Sequence, residues 1–162
     1  MAKVFTDRAM ADKAMAAPGG DDGAAAEAIA SHWLVDCYGC RSDRLRDAAT
    51  LERVLMAAAD RGNLSVLRSQ RHQFHPQGAT VLLLLSESHL SLHTWPERHY
   101  AALDLFTCGD RANPAAACQT VLDFLCPRQH QLQHIARSMV SLDPISSTDG
   151  GPQDPVDSFP PS

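Results

Sequence analysis

Residues 79–109 read ATVLLLLSESHLSLHTWPERHYAALDLFTCG, and the fold follows from this stretch. Ala79 to Leu85 is an unbroken, mostly apolar run bounded upstream by Pro76-Gln77-Gly78, a turn leading into a strand. Ser88 to Thr94 sets Leu90 and Leu92 against His89, Ser91 and His93, the period of two expected of a strand with one covered face. After the turn at Pro96, Tyr100 to Thr107 is a further strand. Working upstream, Leu64 to Phe74 reads as a strand with a polar face. Before it, Leu51, Val54, Leu55 and Ala58 follow the spacing of an amphipathic helix that Gly62 is placed to stop. The short run His32 to Tyr38, with Trp33, Leu34 and Val35, suits a strand. Downstream, Asn113-Pro114 pairs a cap with proline at the first helical position. It opens a helix carrying Ala117, Val121, Leu122 and Leu125 that Pro127 ends, and Gln131 to Val140 supplies a last strand. The order strand, helix, four strands, helix, strand predicts an α+β, two-layer α/β sandwich, its sheet mainly antiparallel and its helices on one face.

The flanks differ in composition. Residues 1–30 are rich in Ala, Asp and Gly, broken by Pro18-Gly19-Gly20 and Asp21-Asp22-Gly23, and read as a flexible extension. Residues 143–162 are rich in Pro, Ser, Asp and Gly and too poor in apolar side chains to offset ordering entropy, so they read as a disordered tail. The folded unit is therefore expected within 31–142, without internal repeats. A net charge of −5 argues against a nucleic-acid binder with a basic face and favours a small-molecule partner. No apolar run is long enough to span a bilayer, and no basic segment followed by a compact apolar stretch opens the chain, so a cytoplasmic protein is expected. Five cysteines cannot all pair within the chain, and reduced thiols are the simplest reading.

Nearly every reactive side chain of the folded unit lies between Ser86 and Gly109. The run Ser86-Glu87-Ser88-His89-Leu90-Ser91-Leu92-His93-Thr94-Trp95-Pro96-Glu97, followed by Tyr100 to Gly109, closely resembles the signature of the prokaryotic S-adenosylmethionine decarboxylase proenzymes. A weaker likeness extends from His32 to the helix after Asn113. The resemblance implies self-cleavage between Glu87 and Ser88, giving a β chain of residues 1–87 and an α chain of residues 88–162 whose terminus is a pyruvoyl group. Serine suits that position: its hydroxyl can attack the preceding carbonyl to form an ester, β-elimination leaves dehydroalanine, and hydrolysis gives the ketone. Threonine or cysteine could begin this sequence, but neither would leave a plain pyruvoyl group through the same oxygen elimination. The resemblance makes Ser88 the pyruvoyl precursor, whose carbonyl would form a Schiff base with the substrate amine and accept the electrons of decarboxylation. It makes His93 the acceptor of the Ser88 α-proton during processing and Cys108 the proton donor to the substrate carbon. Strict alternation puts Ser88 and His93 on opposite strand faces, so their approach requires a bend, a bulge or a strand end.

Thr80 stands where the family usually has a serine that supports processing, and its extra methyl restricts χ1. Phe74, Trp95 and Glu97 match substrate-binding positions, with rings to stack on adenine or face a sulfonium and a carboxylate to bind the ribose hydroxyls. Outside such a motif, His93 would read as a structural strand histidine and Cys108 as a small buried apolar residue. The implied substrate is S-adenosylmethionine, the implied product is the aminopropyl donor for spermidine, and the implied assembly is a homodimer of cleaved protomers. Besides an unprocessed, inactive homologue that binds an active partner, against which the presence of Ser88, His93 and Cys108 weighs, two alternatives remain open at this level. One is a pyruvoyl-dependent decarboxylase of an amino acid such as ornithine or arginine. The other is a metal-binding module using Cys37-x-x-Cys40 with His89 and His93, although a lone CxxC pair is a weak signal.

Overall fold

The structure, a computed structural model, describes residues 3–5, 28–108 and 111–138. Among them one seven-stranded sheet forms, with two helices packed on one face. In chain order the strands are β1 (Lys3–Phe5), β2 (Ala28–Tyr38), β3 (Val66–Gln73), β4 (Ala79–Leu85), β5 (Ser88–Trp95), β6 (Tyr100–Thr107) and β7 (Gln129–Ser138). The helices are α1 (Ala48–Arg61) and α2 (Pro114–Leu125). Across the sheet the strands run β1-β7-β2-β6-β5-β4-β3, every neighbouring pair antiparallel. The α+β sandwich anticipated above is thus the fold, and the expected element order holds from β2 onward, with β1 added ahead of it.

The extended segments differ from the sequence reading mainly at the flanks. Within residues 1–30, Lys3–Phe5 pairs with the outer edge of β7 and Ala28–Ala30 belongs to β2. A three-residue strand is too short to show a period, and its hydrogen bonds come from an edge far along the chain. The last strand begins at Gln129, two residues before the expected Gln131, and is described to Ser138. The tail assigned to 143–162 lies outside the described residues.

The two faces of the sheet have different chemistry. Val81, Leu83 and Leu85 on β4, Leu90 and Leu92 on β5, and Leu103 and Leu105 on β6 are buried against Leu51, Leu55, Val121 and Leu125 of the helices. Burying each such side chain contributes about 1.5–3 kcal/mol. Asp47 caps α1, its carboxylate accepting from the Thr50 N–H at 2.9 Å. Asn113 caps α2 through the Ala116 N–H at 3.1 Å, ahead of Pro114. The helices meet where α1 ends: a Cβ at Gly62 would stand 2.8 Å from the Ala117 Cβ, so only glycine allows this approach. Among the described residues no helix covers the opposite face, where Leu82 and Leu84 are 42% and 49% exposed beside Thr80, His89, His93, Asp104 and Phe106. No helix among the described residues is long and apolar enough to cross a membrane.

Candidate active site

β4 and β5 form a tight hairpin. Leu85 pairs with Ser88, leaving Ser86 and Glu87 at the turn, so the Glu87–Ser88 peptide bond sits at the mouth of a strand rather than within one. Ser88 has φ 146°, a value that side-chain-bearing residues rarely adopt, at a cost of about 1–3 kcal/mol. The strain is held by contacts around Glu87. Its carboxylate accepts from the Ser65 N–H, at 3.0 and 3.2 Å to the two oxygens. Partial burial, the largest single influence, pushes the carboxyl upward, but hydrogen bonds from the Ser65 backbone, the Glu87 backbone and the Ser65 side chain together outweigh it and hold the group below the usual glutamate range.

Cys108 follows β6 immediately, where Thr107 pairs with Ser88. Its backbone N–H and its thiol both donate to the Glu87 carbonyl oxygen, each at 3.2 Å. Two donors on one carbonyl stabilise the negative charge that develops when its carbon is attacked. The cysteine is exposed and carries a free thiol. Hydroxyl, strained peptide and paired donors suit this bond for an acyl shift onto Ser88, and hence suit Ser88 as the precursor of a ketone cofactor.

A second cluster occupies the far end of the same hairpin. Thr80 and His93 are directly opposed on β4 and β5, with Thr80 Oγ1 2.9 Å from His93 Nδ1. They line a hollow of about 290 Å³ with Phe74, Gln77 and Trp95. The Phe74 N–H donates to the Gly78 carbonyl at 2.9 Å, closing the turn, and Gly78 is required there: its φ is +97° and a Cβ would meet the Thr94 carbonyl at 2.8 Å. Trp95 packs on Tyr100 at 5.3 Å. Glu97 is exposed in the 3₁₀ turn Pro96–Arg98 just beyond Trp95.

The residues singled out from sequence thus fall into two groups. Glu87, Ser88 and Cys108 meet at one end of β5, while Thr80, His93, Phe74 and Trp95 meet at the other. Ser88 is indeed at a strand end, yet five residues of strand, about 16 Å at 3.3 Å per residue, still separate it from His93. The four residues of the metal reading do not converge. Cys37 and Cys40 are buried in the helix-covered core, whereas His89 and His93 lie on the open face. Among the described residues no group of three or more His, Cys, Asp or Glu side chains is placed to hold a metal ion.

Known proteins share this arrangement of motif and fold. A family described as S-adenosylmethionine decarboxylase matches residues 31–138. The chain belongs to the S-adenosylmethionine decarboxylase family. Among relatives, the S-adenosylmethionine decarboxylase proenzyme of Synechococcus sp. (strain WH7803) is 43% identical over 109 residues, 67% of this chain and 85% of that protein. The proenzyme of Methanococcus maripaludis (strain C5 / ATCC BAA-1333) is 34% identical over 117 residues, 72% of this chain and 96% of that one. The crystal structure of the adenosylmethionine decarboxylase from Aquifex aeolicus VF5 superimposes with a TM-score of 0.68 at 34% identity, covering 73% of this chain and 98% of that one.

Two groups beside the scissile bond were not singled out from the sequence for this site, the Cys108 N–H at the Glu87 oxygen and His89, whose Nδ1 lies 3.3 Å from Ser88 Oγ. No side-chain pattern announces a main-chain donor. His89 was considered only as a metal ligand. Its place next to Ser88 was visible, but its contact with the hydroxyl depends on an unusual φ that a strand pattern does not suggest.

Proposed function

We propose that this chain cleaves itself between Glu87 and Ser88 and then decarboxylates S-adenosylmethionine to the aminopropyl donor for spermidine, using a pyruvoyl group made from Ser88. The observation that carries this reading is the pair of Cys108 donors, each 3.2 Å from the Glu87 oxygen, at a peptide strained by the φ of Ser88. The pyruvoyl carbonyl supplies an electrophile for a substrate amine and a sink for the electrons released with carbon dioxide. The Cys108 thiol, exposed beside it, returns a proton to the substrate carbon. Phe74 and Trp95 offer aromatic faces to adenine and the sulfonium cation, and Glu97 accepts from the ribose hydroxyls. Thr80 steadies His93 through Nδ1, which leaves Nε2 to take the Ser88 α-proton after the acyl shift.

The separation of the two clusters supports a homodimer in which each site draws on both chains. Leu82, Leu84 and Trp95 are exposed on the open face, and a twofold axis through that face would bring one protomer's Ser88 and Cys108 to the partner's Thr80 and His93. The free, buried Cys37, Cys40 and Cys118 accord with a reducing cytoplasm.

Intact-mass measurement of purified protein tests the cofactor. Two chains divided at Glu87/Ser88, the heavier-numbered one with a pyruvoyl terminus, are expected; full-length protein alone after long incubation refutes self-cleavage. Release of labelled carbon dioxide from carboxyl-labelled S-adenosylmethionine tests the substrate. Cleaved protein that instead releases it from ornithine or arginine refutes the substrate while preserving the cofactor.

A further inference from the structure

Successive residues of a strand point to opposite faces, so alternation alone keeps the side chains of Ser88 and His89 apart. Here they meet, with Ser88 Oγ 3.3 Å from His89 Nδ1. The exception coincides with the backbone of Ser88, whose φ of 146° departs from strand geometry at the residue whose hydroxyl must attack the preceding carbonyl. The His89 ring is half-buried and held in place. It stacks on Phe106, with centroids 6.0 Å apart and planes 11° apart, and meets the His32 ring edge-on at 6.5 Å. On the other side of the scissile bond Cys108 holds the Glu87 oxygen. Nucleophile, adjacent imidazole and oxyanion donors therefore surround one peptide within a single chain.

We propose that His89 is the general base of self-cleavage, a role separate from that of His93. With its proton on Nε2, the imidazole accepts the Ser88 hydroxyl proton at Nδ1 as Oγ attacks the Glu87 carbonyl carbon. The Oγ–C bond forms, the C–N bond breaks, and the same proton passes from His89 to the departing Ser88 nitrogen. Amide becomes ester and amine, and no further reactant is consumed. This rests on the self-cleavage proposed above and divides it between two histidines: His89 serves ester formation from within its own chain, and His93 serves the elimination that follows. His93 of the same chain lies about 16 Å along the strand, out of reach of Ser88, and a His93 supplied across the dimer would be engaged through Nδ1 with Thr80, so the hydroxylamine assay below separates the two histidines.

Charged and titratable groups face His89 from every strand around it. From β2 comes His32, whose Nε2 is buried, has no hydrogen-bond partner among the described residues, and lies 3.6 Å from Asp104 Oδ1 on β6. From β7 the Arg137 guanidinium sits 5.7 Å from the Phe106 ring centroid. β4 presents Leu82 and Leu84, with Arg68 of β3 opposite Leu84. One carboxylate, two guanidinium groups and a second imidazole thus face the His89 ring from the surrounding strands.

Pulse-labelled full-length chain from cell-free translation, chased and sampled with and without hydroxylamine, separates ester formation from elimination. His89→Gln is expected to slow ester formation by about 100-fold or more, accumulating amide that hydroxylamine does not cut. His93→Ala is expected to accumulate the hydroxylamine-sensitive ester. Ester formation at the parental rate in His89→Gln, or ester accumulation in that variant, overturns the proposal. In His89→Ala that keeps the parental melting transition, added imidazole should raise the rate with concentration, and an imidazole-independent rate overturns it. Should neither variant fold, the unmodified chain decides: acid that protonates the base should slow ester formation, and a rate unchanged from about pH 5 to 8 overturns the assignment. An unmodified chain that never cleaves refutes the proposed function itself and is distinguished from all these outcomes.

Discussion

If each site takes Ser88 from one protomer and His93 from its partner, two inactive variants should repair each other. Ser88→Ala cannot form the ester, and His93→Ala should stall at it; produced alone, neither should yield a pyruvoyl terminus. Produced together in equal amounts with random pairing, about half the dimers are mixed, and each mixed dimer contains one site with both native residues and one with neither. About half of the His93→Ala chains, and about a quarter of all sites, should then complete cleavage. The structural basis is the separation within one chain: five strand residues, about 16 Å, which a histidine side chain cannot bridge. A mass tag on one variant lets intact-mass spectrometry assign the cleaved chain, while native mass spectrometry counts mixed dimers. Mixed dimers at the expected fraction with the His93→Ala chain still stalled would refute assembly across protomers. Cleavage of the Ser88→Ala chain would refute the assignment of the nucleophile.

Other consequences follow from individual contacts. Cys108→Ala removes the thiol donor to Glu87 but leaves the backbone N–H, so ester formation should slow about 100-fold, while Cys108→Ser should recover much of it; equal rates for the two variants in gel-resolved time courses would exclude a donor role for the side chain. Leu84→Lys places a charge on the open face and should shift the protein to monomer in analytical ultracentrifugation, with completed cleavage lost in parallel; a cleaving monomer would contradict the paired site. Asp47→Ala should lower stability at neutral pH by about 1 kcal/mol or less, since the cap is exposed. The Thr50 side-chain and backbone hydrogen bonds hold the Asp47 carboxyl below its ordinary 3.8, so the benefit exists above that value and is lost as pH falls through the lower folded pKa. Thermal melts of variant and parent should converge in acid, and a gap that persists below pH about 2 would show that charge is not its source.

Much of the architecture was legible because it is local. The alternation of Leu90 and Leu92 with His89, Ser91 and His93, the turn at Gly78 and the caps at Asn113 and Gly62 act over a few residues, and each does in the structure what its chemistry suggests. The short β1 strand was not legible, because its pairing depends on the edge of β7. The site was legible only as a set of chemistries. Ser88, His93 and Cys108 could be named together from one motif, and alternation warned that Ser88 and His93 face apart.

What the sequence determined by itself was therefore the sandwich and the reactive groups, since period, turns and residue type are written along the chain. Tertiary structure decided the grouping. Pairing of β5 with β6 brings Cys108 to the Glu87 carbonyl from 21 residues away, and pairing with β4 gives His93 to Thr80. The φ of Ser88 turns its hydroxyl to a neighbour that alternation would keep on the other face. These are consequences of strand register and hairpin strain, which depend on the whole sheet closing at once.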